Sequence, residues 1–363
     1  MHKTLIKKPY LIIRRILLFL PGLLNRKRRL KSKSIRRILL LRHDRVGDMV
    51  LSTPLFKALK TRYPDAKITV LASESNHEIL RHSPHVDQIL VYKGIRNFVG
   101  EMRKKKFDMA IDLFITDDMK QAGMTYLSGA EYRLGFKDSG REIFFNIKSP
   151  SARPQKRMVA HLSDLAEAAG AEMADNEPEI FLSEQEREWA RSELLRMGLG
   201  EALIIAVHPG AFYPSQRWPA EKFGESARQI IEYYGAEVFI FGGEKERPLL
   251  EKIKDAAGDR AHIICGLSLR WFMALLNRCS LLVCNNSGPL HIASALQIPT
   301  VSMTGPTVVP LWLPQGENHK SVHKELPCSP CNRADCRDHS CMEQITVHEV
   351  MAEVSRQYEA IHG

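Results

Sequence analysis

Residues 281–307 read LLVCNNSGPLHIASALQIPTVSMTGPT. An apolar run, Ser280–Cys284, breaks at Asn285-Asn286-Ser287-Gly288-Pro289. A helical stretch, Leu290–Leu296, follows. A second apolar run, Pro299–Met303, ends in Thr304-Gly305-Pro306-Thr307. Strand, small-residue turn, short helix and strand form the repeating unit of a parallel α/β sheet. Asn, Ser and Gly ahead of a helix suit its N-cap, where unpaired backbone N–H groups and the helix dipole favour an anion such as a phosphate. Taken alone, the spacing fits an ordinary βα turn equally well.

The alternation extends outward from there. Arg37–Arg42 (RILLLR) reads as a buried strand and His43–Gly47 as a turn. Asp48–Arg62 reads as a helix with Leu51, Leu55, Ala58 and Leu59 on one face. Strands at Lys67–Leu71, Val86–Tyr92 and Phe107–Leu113 alternate with helices at Asn76–Arg81, Ile95–Lys106, Met119–Leu127 and His161–Gly170. The basic face Arg103–Lys106 is expected to be solvated or to meet an anionic surface.

The polar, Pro-containing Asp175–Glu179 marks a hinge. The pattern restarts with strands at Ala202–Val207, Glu237–Phe241 and Ala261–Ile264, separated by helices at Ala220–Tyr234, Glu246–Ala257 and Leu269–Arg278. Two successive βα arrays, 37–178 and 179–345, predict a cleft between their carboxyl-end loops, where open α/β sheets bind ligands. A final helix, within 346–363, is expected to pack back on the first domain.

Charge is unevenly placed. The chain of 363 residues carries a net +10, but thirteen of its 52 Lys and Arg lie in residues 1–37, which hold no acid. That leaves 39 basic against 42 acidic side chains beyond. Basic charge on an extension rather than on the folded body argues against a nucleic-acid-binding function. Pro9–Leu24 is too short and too charged to span a bilayer. Followed by a basic run to Arg37, the segment 1–36 reads as an amphipathic extension for an anionic membrane surface, with a disordered basic tail or a packed helix as alternatives. No cleavable signal pattern is present, and the expected location is cytoplasmic, peripheral on the inner face of the membrane.

Four loops fall at strand carboxyl ends, and their residues resemble a known family. Arg45-Val46-Gly47-Asp48-x5-Pro54-Leu55 is similar to the amino-terminal signature of glycosyltransferase family 9, the bacterial ADP-heptose:lipopolysaccharide heptosyltransferases. His208-Pro209-Gly210-Ala211 with Arg217-Trp218-Pro219, then Asn286-Ser287-Gly288-Pro289-Leu290-His291 and Gly305-Pro306-Thr307, match later motifs in order and spacing. The resemblance runs from about Arg37 to the end. It implies a GT-B fold, two Rossmann-like domains facing across a cleft with the donor on the second, and an inverting, metal-independent reaction.

On that resemblance Asp48 is the general base that takes the acceptor proton. Residue type alone would equally make it a helix cap, and a helix N-terminus should keep it ionised. Gly210, Ala211, Ser287, Gly288 and His291 would surround the donor diphosphate. Arg217 would supply the cation, because Gln216 stands where relatives often carry Lys. Asn286 stands where some relatives carry Asp. Glu244 would meet the ribose hydroxyls, and Leu267, beside Ser268, the adenine. Arg42 and Arg45 suit an anionic acceptor such as a Kdo- or phosphate-bearing lipid core. They could equally pair with Asp44 or Asp48.

Cys328-x2-Cys331-x4-Cys336-x4-Cys341 could hold a structural zinc, free thiols or a disulfide loop. No cofactor is expected. The expected function is transfer of a sugar, heptose from ADP-heptose, onto a lipid-linked oligosaccharide. The alternatives are a GT-B-shaped nucleotide-sugar epimerase and a non-catalytic nucleotide-sugar- or lipid-binding module.

Overall fold

The near-continuous apolar runs around Leu39 and Val283 become inner strands of two separate sheets, as runs buried on both faces must. A computed structural model describes residues 30, 35–138, 140–150 and 156–362. The segment 1–36 expected to meet a membrane lies outside the described residues, save Leu30, Ile35 and Arg36. Among the described residues no helix is long and apolar enough to cross a membrane. The chain divides into one unit ending at Glu177 and another beginning at Pro178.

In the first unit six strands form a parallel sheet of order β3-β2-β1-β4-β5-β6. They are β1 (Arg37–Leu41), β2 (Lys67–Ala72), β3 (Gln88–Val91), β4 (Met109–Asp112), β5 (Tyr132–Phe136) and β6 (Ile147–Ser149). Leu39 pairs with Thr69 on one side and Ala110 on the other, so the order reverses between β1 and β4. The helices are α1 (Val46–Leu51), α2 (Thr53–Arg62), α3 (Ile95–Lys105), α4 (Met119–Leu127) and α5 (Met158–Ala168).

The second unit repeats the plan with order β12-β11-β10-β7-β8-β9. Its strands are β7 (Ile204–His208), β8 (Glu237–Gly242), β9 (Ala261–Cys265), β10 (Leu281–Asn285), β11 (Thr300–Thr304) and β12 (His319–His323). Here the reversal lies between β7 and β10, with Cys284 opposite His208. Helices α6 (Glu184–Arg196), α7 (Ala220–Tyr234), α8 (Arg247–Ala257), α9 (Leu269–Leu276), α10 (Gly288–Ala295), α11 (Val309–Trp312), α12 (Ser340–Glu343) and α13 (Val347–His362) complete it.

Three departures from the sequence reading have physical causes. The single helix expected over Asp48–Arg62 is two. Pro54 has no N–H to give to the carbonyl of Val50, and the Thr53 hydroxyl takes that carbonyl instead at 2.8 Å. Strands β5, β6 and β12 are short or carry polar residues and lacked an apolar run. The final helix does not belong to the first unit's core. Val350, Met351 and Val354 of α13 join the second unit's core with Phe223, Val301 and Met303.

Buried charges lock each unit. Arg141 and Asp112 are both fully buried and pair at 2.6 Å, and the other arm of Arg141 donates to the carbonyls of Phe114 and Thr116, each at 2.9 Å. In the second unit Arg270 grips Glu186 through two bonds of 2.7 and 2.6 Å, while Glu186 caps α6 through Ser183. Arg141→Ala would leave Asp112 buried and unpaired, so a loss of about 3–5 kcal/mol is expected in urea unfolding. A loss under about 1 kcal/mol would show that Asp112 has simply taken up a proton or water at little cost.

His291 of α10 is buried and His319 of β12 half-buried. Burial, and for His291 the nearness of His319, holds both at about 4 against an ordinary 6.5. His319 shares a 3.0 Å bond with the Thr300 hydroxyl. Both are neutral in the folded protein, and the unfolded chain takes up their protons first as pH falls. Their stabilisation is whole above about 6.5 and lost progressively down to about 4. The midpoint of thermal unfolding should therefore fall across this window, and less steeply in His319→Gln; equal slopes would rule these imidazoles out as the cause.

Candidate functional site

Each sheet leaves a crevice where its strand order reverses, at the carboxyl ends of the central strands, the place where such sheets hold ligands. The expected residues 42–48 of the first unit and 208–217 and 285–291 of the second lie beside these reversals, while Glu244 and Leu267 follow β8 and β9.

In the first unit the loop after β1 is fixed from several sides. Asn76 donates to the carbonyl of Arg42 at 3.0 Å and accepts from the Ser73 N–H at 2.8 Å, and the Ser73 hydroxyl donates to the Asp44 carbonyl at 3.2 Å. Arg42 is only 1% exposed. It donates to the Ser52 hydroxyl at 2.9 Å and to Asp44 at 3.1 Å, and lies 4.0 Å from Asp48. Of the two roles open to Arg42, the geometry places it in the ion pair, inside the turn; Arg45 is exposed.

Asp48 sits in the first turn of α1 and keeps 16% of its side-chain surface. Its carboxyl is pushed up to about 6, by burial first and by the negative charge of Asp44 second, against the pull of Arg42 and Arg45. The helix N-terminus was expected to keep it ionised, and at neutral pH it is, though from a raised rather than an ordinary value. Desolvation outweighs a one-turn dipole. The group is still mostly ionised at neutral pH, and a carboxylate tuned towards neutrality is a better proton acceptor than an ordinary one.

Aromatic rings line the same strand ends. His43 lies 4.7 Å from Tyr92, which follows β3, and 5.1 Å from Phe114, which follows β4. Arg42 lies 5.6 Å from the centre of the Phe114 ring. Burial drives His43 down to about 4, with Lys120 and Arg42 adding to the effect.

In the second unit Asn285 ties the two loops at the reversal together. Its side chain donates to the Pro209 carbonyl at 2.7 Å and accepts from the Trp218 N–H at 2.9 Å. The Ser287 hydroxyl reaches the Gly210 carbonyl at 3.5 Å and the Asn285 carbonyl at 3.3 Å. It does not cap α10, so the first N–H groups of that eight-residue helix have no side-chain cap. Asn286, 8% exposed, donates to the Thr307 hydroxyl at 3.3 Å and so joins the Gly305–Thr307 turn to the same place.

Arg217 wraps the Ala211 carbonyl with Nε and Nη2 at 3.1 and 2.9 Å, and Gln216 ends the short turn before it. Glu244 is held by Arg247 at 3.1 Å and lies against Gly266, where an added Cβ would fall 2.6 Å from its oxygen. Leu267 is half-buried ahead of α9, which Ser268 caps. His291 is 5% exposed and neutral, so it brings no positive charge to the loop that precedes it.

Several residues of the site went unread in the sequence. Glu246 accepts from the Gly243 N–H at 3.0 Å, and a Cβ on Gly210 would meet its oxygen at 2.5 Å and the His208 ring at 2.9 Å. The Gly243-x2-Glu246 spacing is a capping pattern that could have flagged it. Asn285 could have been read from its place at the end of β10. Asn76 carries no local signal.

The Cys-rich segment braces these loops. The Ser215 hydroxyl and N–H reach the carbonyls of Arg333 and Ala334, and Cys331 and Asn332 donate to Pro306 at 3.0 and 2.8 Å. Among the described residues, no group of three or more His, Cys, Asp or Glu side chains could hold a metal ion. All seven cysteines are free thiols, so neither the zinc site nor the disulfide loop open to the sequence is formed.

The family model for glycosyltransferase family 9 (heptosyltransferase) matches residues 95–341. Lipooligosaccharide heptosyltransferase 2 of Haemophilus influenzae is 29% identical over 291 residues, covering 74% of this chain and 83% of that one. Lipopolysaccharide heptosyltransferase 2 of Escherichia coli K12 is 25% identical over 344 residues, covering 88% and 97%. The structure of E. coli ADP-heptose lipopolysaccharide heptosyltransferase II superimposes with a TM-score of 0.74 at 24% identity, over 90% of this chain and all of that one. The family 9 glycosyltransferase of Veillonella parvula gives 0.76 at 20%, over 91% and 98%. The fold is of the GT-B class, and the chain belongs to glycosyltransferase family 9, the heptosyltransferases.

Proposed function

We propose that this glycosyltransferase moves heptose from ADP-heptose onto a hydroxyl of a lipopolysaccharide core, with inversion and without a metal. The observation that carries the reading is Asp48, a partly accessible carboxylate raised to about 6 on a turn fixed by Arg42, Ser52 and Asn76. The relatives' names supply heptose and lipopolysaccharide.

In the reaction Asp48 takes the proton of the acceptor hydroxyl as its oxygen attacks the anomeric carbon. The bond from that carbon to the diphosphate breaks, and ADP leaves with the electron pair. Its growing negative charge calls for fixed donors. The N–H groups opening α10 and the backbone at Gly210 and Ala211 supply them. Arg217 adds a cation, since Nη1 has no protein partner among the described residues. Glu244 and Leu267 hold the nucleoside, and the basic extension keeps the enzyme on the anionic cytoplasmic face of the membrane where a lipid-linked acceptor lies.

Asp48→Ala and Asp48→Asn should lower the turnover ~100- to 10,000-fold while leaving ADP affinity nearly unchanged. Because the base must be deprotonated, wild-type turnover should rise about tenfold per pH unit up to about 6 and level off above it. Undiminished transfer by either variant, or equal loss of transfer and ADP binding, would remove Asp48 from the role. In the second unit, Gly210→Ala forces Glu246 or His208 aside and should weaken ADP binding by about 1–3 kcal/mol in calorimetry. Unchanged binding there would place the diphosphate elsewhere.

A further inference from the structure

Asp44 has figured so far only as a neighbour of Asp48. It stands just ahead of Arg45, the N-cap of α1, so that both carboxyls border one turn. That turn is pinned at its backbone. The Ser73 hydroxyl donates to the Asp44 carbonyl at 3.2 Å, and Asn76 reaches the carbonyls of Arg42 and Arg45 at 3.0 and 3.4 Å. Neither side chain is sealed: Asp44 keeps 25% of its surface and Asp48 16%.

One buried cation serves both carboxyls. Arg42 gives Nε to the Ser52 hydroxyl at 2.9 Å. Its Nη1 lies 3.1 Å from Asp44 and 4.0 Å from Asp48, and only the first is a hydrogen bond. Nη2 is buried without a hydrogen-bond partner, as is Oδ1 of Asp44. The guanidinium is therefore underpaired, and the next acceptor beside it is Asp48. No side chain among the described residues donates a hydrogen bond to the Asp48 carboxyl. The charges acting on Asp48 are Asp44, Arg42 and Arg45. The segments packed beside the turn bring uncharged groups: Ser73 and Asn76 after β2, Ser52 and Thr53 at the start of α2. His43, a neutral ring, is turned to Tyr92 and Phe114.

We propose that Asp44 is a positioning residue: it holds the Arg42 guanidinium off Asp48, so that the base meets the acceptor hydroxyl with its oxygens unpaired. Without the Asp44 charge, Arg42 would turn its free N–H groups to Asp48 instead. A charge-assisted bond of that kind occupies the oxygen that must take the proton. It also favours the ionised form, which makes the carboxylate a weaker base. The repulsion between Asp44 and Asp48 works in the same direction as the withheld bond. This role rests on the reading of Asp48 as the base.

The test is the pH profile of transfer by the full chain, with saturating ADP-heptose and a deacylated core oligosaccharide. Wild type should reach half its plateau near pH 6 and run at about a tenth of it near pH 5. Asp44→Asn keeps the shape of the side chain and loses the charge. Its midpoint should fall by at least about one pH unit, so that near pH 5 it runs at about half of its own plateau. That plateau should drop about tenfold, the mark of a weaker and hindered base. Asp44→Glu, which keeps the charge, should keep the wild-type midpoint. Asp44→Ser carries the prediction of Asp44→Asn should the latter not fold. An unmoved midpoint in the uncharged variant, or an equal loss of rate at every pH, overturns the proposal.

Carboxyl carbon NMR separates the two levels, with the Asp48 signal identified as the one missing from Asp48→Asn. If wild type transfers nothing, or Asp48→Asn transfers as well as wild type, the reading of Asp48 as the base fails. The Asp48 signal should still titrate at about 6 in wild type and at least about one pH unit lower in Asp44→Asn. Equal midpoints in the two proteins overturn the role of Asp44 itself.

Discussion

One buried guanidinium governs the chemistry of the first unit. Arg42 is enclosed at the end of β1 with Ser52, Asp44 and Asp48 around it. A charge taken out of water must be matched nearby, and Asp44 at 3.1 Å does most of that. Asp48, at 4.0 Å, receives only part of the attraction while feeling the full repulsion of Asp44. Burial is the larger cause and the charge of Asp44 the second, and together they raise the carboxylate towards neutrality. A closer Arg42–Asp48 pair would give a lower pKa and a weaker base; a missing Arg42 would leave two carboxylates in competition for one proton.

Both units solve the same geometric problem in the same way. Each sheet reverses its strand order beside its first strand, and each opens a crevice there bounded by two loops. An Asn holds the crevice in both cases. Asn76 fixes the loop after β1, and Asn285 joins the loops after β7 and β10. An amide suits this task because it donates and accepts at once and carries no charge to disturb a neighbouring ionisable group. The floors of the two crevices are therefore set by neutral hydrogen bonds, which leaves the charged groups available for substrate chemistry.

The parts of this architecture legible in sequence were those with a strong local period. β1, β7 and β10 are covered on both faces and read as unbroken apolar runs, and α7 was bounded to the residue by its amphipathic stripe. Short strands such as Ile147–Ser149, and His319–His323 with its polar residues, obtain their partners from the sheet rather than from their own pattern. The loop motifs fall at strand ends beside both reversals of strand order, since small residues at strand ends are a local signal. What could not be read was the burial of individual groups. Arg42, Asp48 and His291 have ordinary surroundings in sequence, and only packing turned them into an interior cation, a raised carboxyl and a neutral imidazole.

The neutral imidazoles narrow where charge can come from. His43, His208 and His291 stand at or beside the strand ends, and burial lowers all three. In the fold as it stands burial disfavours the charged form of each. Positive charge for an anionic substrate must come from arginine and lysine, which do not titrate in that range, and from backbone N–H groups, which do not titrate at all. Under the proposed reaction, substrate binding is then insensitive to pH near neutrality. Asp48, raised to about 6, becomes the group whose protonation state sets the rate. That division, fixed charges for binding and one tuned carboxylate for proton transfer, follows from which side chains the two sheets bury and which they leave at their edges.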